Sequence, residues 1–447
     1  MKKLFLLIFI FAAAGANAQE VLSLEQCRTL ALAYNKEIAA SVQQTRSAMH
    51  TMKSYKGYFF PDLTASATGL YSTADGDYSS GSAQLPVYSS EGTTLGSATF
   101  PGIALDYEVG TMFLGGVQLE QPLYTGGKLR TAYKMSAINN EMAQINENLT
   151  ATDVIVRTDD AYASVVKAQE MKKVADKYKA LLEELLANVE SAYNHGLKPR
   201  NDVLKVQVRL NESELSVRKA ENSLRLALMN LCHYIGKPLT ESIQVADDFP
   251  TVSDLTNLQT NDISLRPEYA LLDRQEALAL QQIKLNRSEM LPTIGLQGAF
   301  NYLHGFELND ETLFDKGNFA VLLNVNIPIW HFGARAQKVK AAKAKLEQTR
   351  LERENQNEQM LLELAQAANN VDEAQLECEI AQRSLEQAEE NMRVSQSEFN
   401  HGLETLSDHL EAQTLWQQAY QTQVDARYQL YLAHVKYQKA AGTLLSK

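Results

Sequence analysis

Tyr193-Asn194-His195-Gly196-Leu197 returns 206 positions later as Phe399-Asn400-His401-Gly402-Leu403, and the fold follows from that repetition. At the same shift, Pro122 meets Pro328 and Gly127 meets Gly333. Asp202, Leu204 and Gln207 meet Asp408, Leu410 and Gln413, and Gly236 meets Gly442. No gap is needed for more than a hundred residues. Upstream, Pro61-Asp62-Leu63 matches Pro292-Thr293-Ile294 at a shift of 231, so the first half carries 25 extra residues between its two prolines. The mature chain therefore reads as two copies of one unit, a first repeat over 19–240 and a second over 241–447.

Each copy predicts a helix, a strand, a loop, a second strand, a long helix, a tight turn and another long helix. The long helices give the clearest signal. From Leu364, small or apolar residues fall at Ala368, Val371, Ala374, Cys378, Ala381, Leu385, Ala388, Met392, Ser395 and Phe399. The spacing of about 3.5 residues keeps one seam on a partner and implies a left-handed supercoil. Ala161, Val165, Ala168, Met171, Val174, Tyr178, Leu181, Leu185, Val189 and Ala192 repeat it. The run from Lys128 to Asn194 has no proline and no glycine, so it reaches roughly 100 Å as one helix. The hairpins are expected at about 128–235 and 334–441.

Strands are read from alternation. Leu63, Ala65, Ala67, Gly69 and Tyr71, then Val117 and Leu119, alternate with polar residues. So do Ile294, Leu296, Gly298 and Phe300, and Phe319, Val321, Leu323, Val325 and Ile327. Each run approaches the ~10 residues that cross a bilayer at a tilt. Strand pairs are expected at about 61–123 and 292–329, with Ser-, Gly- and Thr-rich Gly76–Gly102 as an exposed loop. Phe59, Phe60, Tyr124, Trp330 and Phe332 mark the strand ends, where rings favour the membrane–water boundary. A small soluble β-domain is the competing reading.

The first residues set the compartment. Lys2 and Lys3, an apolar run from Leu4 to Ala14, and Ala16-Asn17-Ala18 have the layout of a cleavable export signal over 1–18. No later run approaches the ~20 apolar residues of a membrane helix. The 42 basic and 54 acidic residues give a formal charge of −12, or −14 without Lys2 and Lys3. That balance argues against nucleic acid as a partner. Three cysteines make no disulfide framework.

Four strands are too few to close a barrel, and open sheet edges are not tolerated in lipid. If the strands lie in a membrane, several copies share one barrel, most simply around a rotation axis. The expected fold is a mixed α/β membrane protein. Coiled-coil hairpins form a helical tunnel, and each chain lends four strands to a common barrel.

In their order, twice over, the motifs Pro122-Leu123-Tyr124-Thr125-Gly126-Gly127 and Pro328-Ile329-Trp330-His331-Phe332-Gly333 and the two turns resemble the TolC-like outer membrane efflux proteins. The resemblance runs from about Leu24 to Leu445. It implies a homotrimer with a twelve-stranded barrel in the outer-membrane lipid of a Gram-negative cell and a twelve-helix tunnel across the periplasm. An equatorial region would form from about 236–266 and the C-terminal tail. It further implies an exit duct of a tripartite efflux pump or type I secretion system. Its partners would be a periplasmic adaptor and an inner-membrane pump of the RND or ABC type, and no cofactor is involved. The adaptor would meet the tip at Asn194, His195, Gly196, Leu197, Asn400, His401, Gly402 and Leu403.

The family's acidic constriction falls on Asp408 and Glu411, one turn apart on one helix face, with Asp202 as the first-repeat counterpart of Asp408. Threefold symmetry would make two acidic rings that select cations; the plainer reading is two solvated surface carboxylates. Well-known members tether this tip with a Tyr and an Arg where this chain has Phe399 and Glu404. Lys198 and Arg200 are candidate substitutes.

Cys232-His233 invites a metal reading, but structural zinc wants about four spaced ligands and no second pair is near. Cys378 reads as seam core. His195 and His401 suit loop packing or a pH-sensitive contact. Gly126-Gly127 is a strand-to-helix turn, since no phosphate-loop pattern follows. Nothing suggests catalysis. The alternative function is a soluble periplasmic coiled-coil scaffold or adaptor.

Overall fold

A computed structural model describes residues 21–246, 248–249, 262–309 and 311–444. The export signal lies outside the described residues, as do part of the expected equatorial segment and the last three residues. In chain order the elements are β1 (Val21–Leu22), α1 (Leu24–Tyr34), α2 (Lys36–Gly57), β2 (Asp62–Tyr71), β3 (Asp75–Ser79), β4 (Ala83–Tyr88), β5 (Thr94–Phe100), β6 (Ala104–Glu108) and β7 (Thr111–Tyr124). They continue with α3 (Lys128–Asn194), α4 (Arg200–Tyr234), β8 (Gln244–Val245), α5 (Pro267–Ser288), β9 (Thr293–Leu308), β10 (Glu311–Asn326), α6 (Ala334–Asn400) and α7 (Leu406–Ala440). Both α3 and α6 have 67 residues, both α4 and α7 have 35, and each second member starts 206 positions after the first.

The chain divides into two compact units. One comprises Met1–Arg46, Glu141–Gln275 and Arg350–Lys447; the other comprises Ser47–Asn140 and Glu276–Thr349.

In the first unit, seam positions close on one another. Ala161, Val165, Val174, Tyr178, Leu185 and Val189 of α3 are buried, as are Val371, Ala374, Ala381 and Leu385 of α6. Cys378 is half-buried. A row of polar pairs fixes how α3 meets α7. Asp153 takes Lys439 at 2.8 Å and Asp160 accepts from Tyr428 Oη at 2.6 Å. Lys167 takes Asp425 at 2.6 Å, and Glu170 accepts from Tyr420 Oη at 3.3 Å. Positions rise along α3 as they fall along α7, so the helices are antiparallel. Asp153, Asp160 and Lys167 recur every seven residues, which keeps them on one stripe. Half-exposed pairs of this kind contribute ~0–1 kcal/mol each; a mismatched pairing would cost more than any one of them.

The N-terminal segment is locked onto this bundle. Ser23 caps α1 in a reciprocal box with Gln26, and β1 pairs in parallel with β8. Leu22, Cys27, Tyr162, Val165, Leu231, Cys232, Ile235 and Val245 form one core. Beside it, Arg28 makes a two-pronged contact with Asp159, Nε to Oδ1 at 2.8 Å and Nη2 to Oδ2 at 2.6 Å. Burial pushes the Asp159 carboxyl up, while Arg28 pulls it back and is itself held charged by the pair.

In the second unit, four long strands lie in the order β2-β7-β9-β10, all antiparallel. The register stacks like with like. Ala65, Val117, Phe300 and Phe319 form one row, and Leu63, Leu119, Gly298 and Val321 the next. Between them lie Thr64, Gln118, Ala299 and Ala320, and then Ser66, Gly116, Asn301 and Asn318. The sheet thus has an apolar face and a mainly polar one, yet among the described residues no core covers the apolar rows. Phe319 is 72 % exposed, Leu63 66 % and Val321 61 %.

The expected loop Gly76–Gly102 is corrected by β3, β4 and β5. β3 pairs with β6, which extends the β2–β7 hairpin, and β4 and β5 form a separate ribbon turned at Ser89–Thr93. Nearly every residue is exposed, as a Ser-, Gly- and Thr-rich composition implies. That composition marks solvent contact and does not prevent pairing, because Tyr78, Val87, Tyr88, Thr94, Thr99 and Phe100 are strand formers.

Removing the guanidinium opposite Asp159 strands a buried carboxylate. Arg28→Ala is expected to cost roughly 3–5 kcal/mol, read as a lower unfolding midpoint, whereas Glu25→Ala, which removes the exposed partner of Arg28, is expected to move the midpoint little.

Candidate functional site

The two helical turns, both in the first unit, are built alike. Gly196 and Gly402 hold φ of +73° and +76°, which a Cβ disfavours. Leu197 N–H donates to Ala192 O at 2.9 Å, and Leu403 N–H donates to Glu398 O at 2.9 Å. These six-residue links are the Schellman closure. His195 and His401 sit one position earlier, each with Nδ1 2.7 Å from the carbonyl four residues back, Ser191 and Ser397. The same two carbonyls also accept the backbone N–H of His195 and of His401, each at 3.2 Å, so ring and backbone of each histidine converge on one oxygen at a helix C-terminus. Both turns leave a leucine standing out, Leu197 77 % and Leu403 79 % exposed.

Beyond the second turn, Thr405 caps α7. Its Oγ1 accepts from Asp408 N–H at 3.3 Å and donates to Asp408 Oδ2 at 2.7 Å. Asp408 is thus an exposed first-turn carboxylate stabilised by cap and helix dipole. Asp202 has the same place in α4 without a side-chain cap, and Lys205 lies 3.9 Å from it. Glu411 is exposed on a groove of about 730 Å³ between α4 and α7, shared with Leu204, Lys205, Val208, Arg209 and Leu410. In one chain the carboxylates of Asp408 and Glu411 have different surroundings.

Sequence reasoning left Phe399 and Glu404 without partners and missed His409, which gathers both. His409 is fully buried and stacks on Phe399 with ring centroids 4.9 Å apart. Its Nδ1 is 2.9 Å from Ser395 Oγ, and that hydroxyl donates to Glu404 Oε2 at 2.5 Å. Gln413 Nε2 donates to the other ring nitrogen at 3.0 Å. With Gln413 Nε2 as the donor to the ring, the neutral tautomer that fits these contacts carries its proton on Nδ1. Burial holds this imidazole below its ordinary value, with Glu404 opposing. Lys198 lies over the outer ring, 5.1 Å from the Phe399 centroid. Arg200 opens α4.

Around this network lies a four-helix core of Leu182, Leu185 and Val189, Val203 and Val206, Leu385, and Leu406, Leu410 and Trp416. Both hairpins of one chain share it. The network was detectable in principle, since Ser395 and Phe399, and likewise His409 and Gln413, are four apart on one helix face. Helical spacing alone did not show that the two pairs meet.

The strand-end aromatics are all exposed: Phe59 41 %, Phe60 63 %, Tyr124 45 %, Trp330 71 % and Phe332 91 %. Phe332 holds φ +47° where the first copy has Gly126 at +61°. A Cβ on Gly126 would lie 2.7 Å from Ser288 O, so the first copy needs glycine there.

Among the described residues no three His, Cys, Asp or Glu side chains gather to hold a metal, and no helix is long and apolar enough to cross a membrane. Burial pushes the Cys27 thiol up to about 12 and raises Cys232, so neither favours the thiolate a metal would need.

Paired long helical hairpins in one unit and a four-stranded sheet with an uncovered apolar face in the other are the elements of the TolC-like fold. The chain belongs to the outer membrane efflux protein family, whose pattern it matches over residues 28–237 and 266–443. That family consists of transport channels, not enzymes. The chain is 26 % identical to the proteases secretion protein PrtF of Dickeya chrysanthemi over 344 residues, 74 % of this chain and 73 % of PrtF. It is 22 % identical to the pyoverdine export outer membrane protein OpmQ of Pseudomonas aeruginosa over 421 residues, 92 % and 83 %. Its fold is similar to the crystal structure of the Campylobacter jejuni CmeC outer membrane channel, with a TM-score of 0.74, 18 % identity, and coverage of 94 % of this chain and 86 % of that one.

Because Gly402 bears positive φ in open space, Gly402→Ala is expected to destabilise the turn by ~1 kcal/mol. Gly402→Asn should cost less. Hydrogen exchange of Leu403 N–H checks both.

Proposed function

We propose that this protein is the outer-membrane exit duct of a tripartite efflux or secretion system, made of three copies around one axis. The uncovered, two-edged sheet carries the reading. β2 and β10 each pair on one side over their long spans. Three copies joined β10 to β2 give twelve strands, with the apolar rows toward lipid and the Thr, Gln and Asn rows toward a wet interior. At ~3.3 Å per residue the strands span the hydrocarbon at a tilt. Phe59, Phe60, Tyr124 and Trp330 then sit at the membrane boundary.

The hairpins of α3–α4 and α6–α7, a duplicated unit, continue this barrel as a twelve-helix tunnel into the periplasm. The described residues 236–246 and 262–266 belong to its girdle. The turns bearing Asn194, His195, Gly196 and Leu197, and Asn400, His401, Gly402 and Leu403, meet a periplasmic adaptor, to which Leu197 and Leu403 offer free apolar side chains. The adaptor links the duct to an inner-membrane pump of the RND or ABC type. Asp408, Glu411 and Asp202 line the tip as acidic rings that favour cations. A scaffold confined to the periplasm would leave the apolar rows in water, so the sheet favours the duct. The relatives PrtF and OpmQ serve the export of different cargo, proteases and pyoverdine.

The face assignment is tested by two neighbouring residues of β10. Val321→Lys puts a charge on the lipid face at a cost of ~2–4 kcal/mol and should abolish membrane-inserted channels in planar-bilayer recordings. Leu322→Lys, on the other face, should leave inserted, conducting channels. Equal behaviour of the two, or no conductance from the unsubstituted protein, would overturn the reading. For the rings, Asp408→Asn with Glu411→Gln should raise conductance and reduce preference for cations; unchanged selectivity would remove them from the tip's lining.

A further inference from the structure

The duct reading makes no use of the buried chain Gln413–His409–Ser395–Glu404. It joins three elements: Ser395 and Phe399 come from α6, Glu404 from the turn, and His409 and Gln413 from α7. His409, Gln413 and Ser395 are 0 %, 1 % and 4 % exposed. A buried polar network is worth its cost only when every member is satisfied, and here one member is not, since Gln413 Oε1 is buried without a partner. In the neutral state each contact has a donor facing an acceptor. Gln413 gives a proton to ring Nε2, ring Nδ1 gives one to Ser395, and Ser395 gives one to Glu404.

Adding a proton at Nε2 breaks that order. Two donors then face each other across the 3.0 Å between Gln413 Nε2 and the ring. Turning the Gln413 amide brings its free Oε1 to the ring but moves the amide N–H₂ to the place where Oε1 found no partner. The turned amide exchanges an unpaired buried acceptor for an unpaired buried donor, and the ring adds a buried charge; both costs fall if α6 and α7 separate and admit water.

We propose that His409 is a proton-operated latch on the α6–α7 turn: neutral, it closes the turn through Ser395, Gln413 and Phe399, and protonated, it releases it. Few charges oppose this. Glu404, the carboxylate that acts on the ring, reaches it through one hydroxyl. Lys198 of the α3–α4 turn lies over Phe399, and Lys205 of α4 is 3.4 Å from Ser407 Oγ. Asp408 is occupied by Thr405, and Glu411 is on the α4–α7 groove. The α3 residues in this core are Tyr178 and the aliphatics Leu182, Leu185 and Val189. Glu404 is set back from the ring by the Ser395 hydroxyl, so it offsets only part of the hydration that a buried imidazolium would lose.

The sign follows from linkage. A histidine held below its ordinary value takes up more protons unfolded than folded. The latch is at full strength above about pH 6.5 and weakens as pH falls below it. The change is at most about tenfold in the opening equilibrium per pH unit, as for one proton. At the level of local order the proposal stands without the duct reading. Its effect on conductance rests on it.

Hydrogen exchange of the full-length protein in detergent, corrected for intrinsic rates, tests it between pH 7.5 and 5. Amides of His401–Leu410 are expected to gain exchange several-fold as pH falls, with those at the α3–α4 turn unchanged. His409→Asn, which does not titrate, should exchange at one corrected rate throughout. Glu404→Gln removes the anion that favours imidazolium, so its transition should move to lower pH. This second variant decides the matter if His409→Asn fails to fold. A flat profile in the unsubstituted protein, the same profile in His409→Asn, or an unmoved or upward-shifted transition in Glu404→Gln would each overturn the latch. Loss of conductance with the exchange pattern intact would count against the duct and leave the latch standing.

Discussion

The structure depends on a sheet whose apolar face and two edges have no partner among the described residues of the chain. Four antiparallel strands stack their apolar residues in rows on one face, and no helix or second sheet of the described residues covers them. In water such a face is a liability, and its two open edges are a second one. A bilayer relieves the first problem and creates a stricter version of the second, because hydrocarbon supplies no partner for free N–H and C=O groups. Only pairing with further copies relieves both, and the proposed trimer follows from that pair of demands.

The helices answer the same demand by other means. A 67-residue helix has far too much surface for a compact core, so a seam of spacing 3.5 gives it neighbours along its length. The seam alone would allow slippage by whole heptads. Polar pairs between α3 and α7, from Asp153–Lys439 to Glu170–Tyr420, oppose that slippage. Near the turns the seam gives way to a four-helix aliphatic core with one buried polar network.

Much of this was legible in the residues. Proline and glycine punctuation placed the turns, the seam spacing placed the buried face of α3 and α6, and period-two alternation placed β2, β9 and β10. The Thr405–Asp408 cap is also readable, as an N-cap threonine with an acid three residues on. What escaped has physical reasons. In Gly76–Gly102, composition reports exposure, and these strands are exposed on both faces, so the usual half-buried alternation is missing. The contacts of Phe399 and Glu404 with His409 are not visible in the sequence. Their actual contacts cross between two helices, and no local spacing reveals which helix faces meet. The metal-like pair Cys232-His233 resolves to a buried thiol in the core and an aromatic contact between His233 and Tyr234.

The central claim is that β10 of one copy pairs with β2 of the next, and disulfide trapping tests it most directly. One cysteine is placed at Ser66 on β2, and a second is scanned along the polar row positions of β10 around Asn318. Within a chain these edges are separated by β7 and β9, roughly 14 Å at the usual strand spacing, too far for a disulfide. Oxidation in native membranes is predicted to give a ladder of one, two and three linked chains that stops at three, at one register only. Chains that stay single at every scanned position, or ladders that run on past three, would contradict the account.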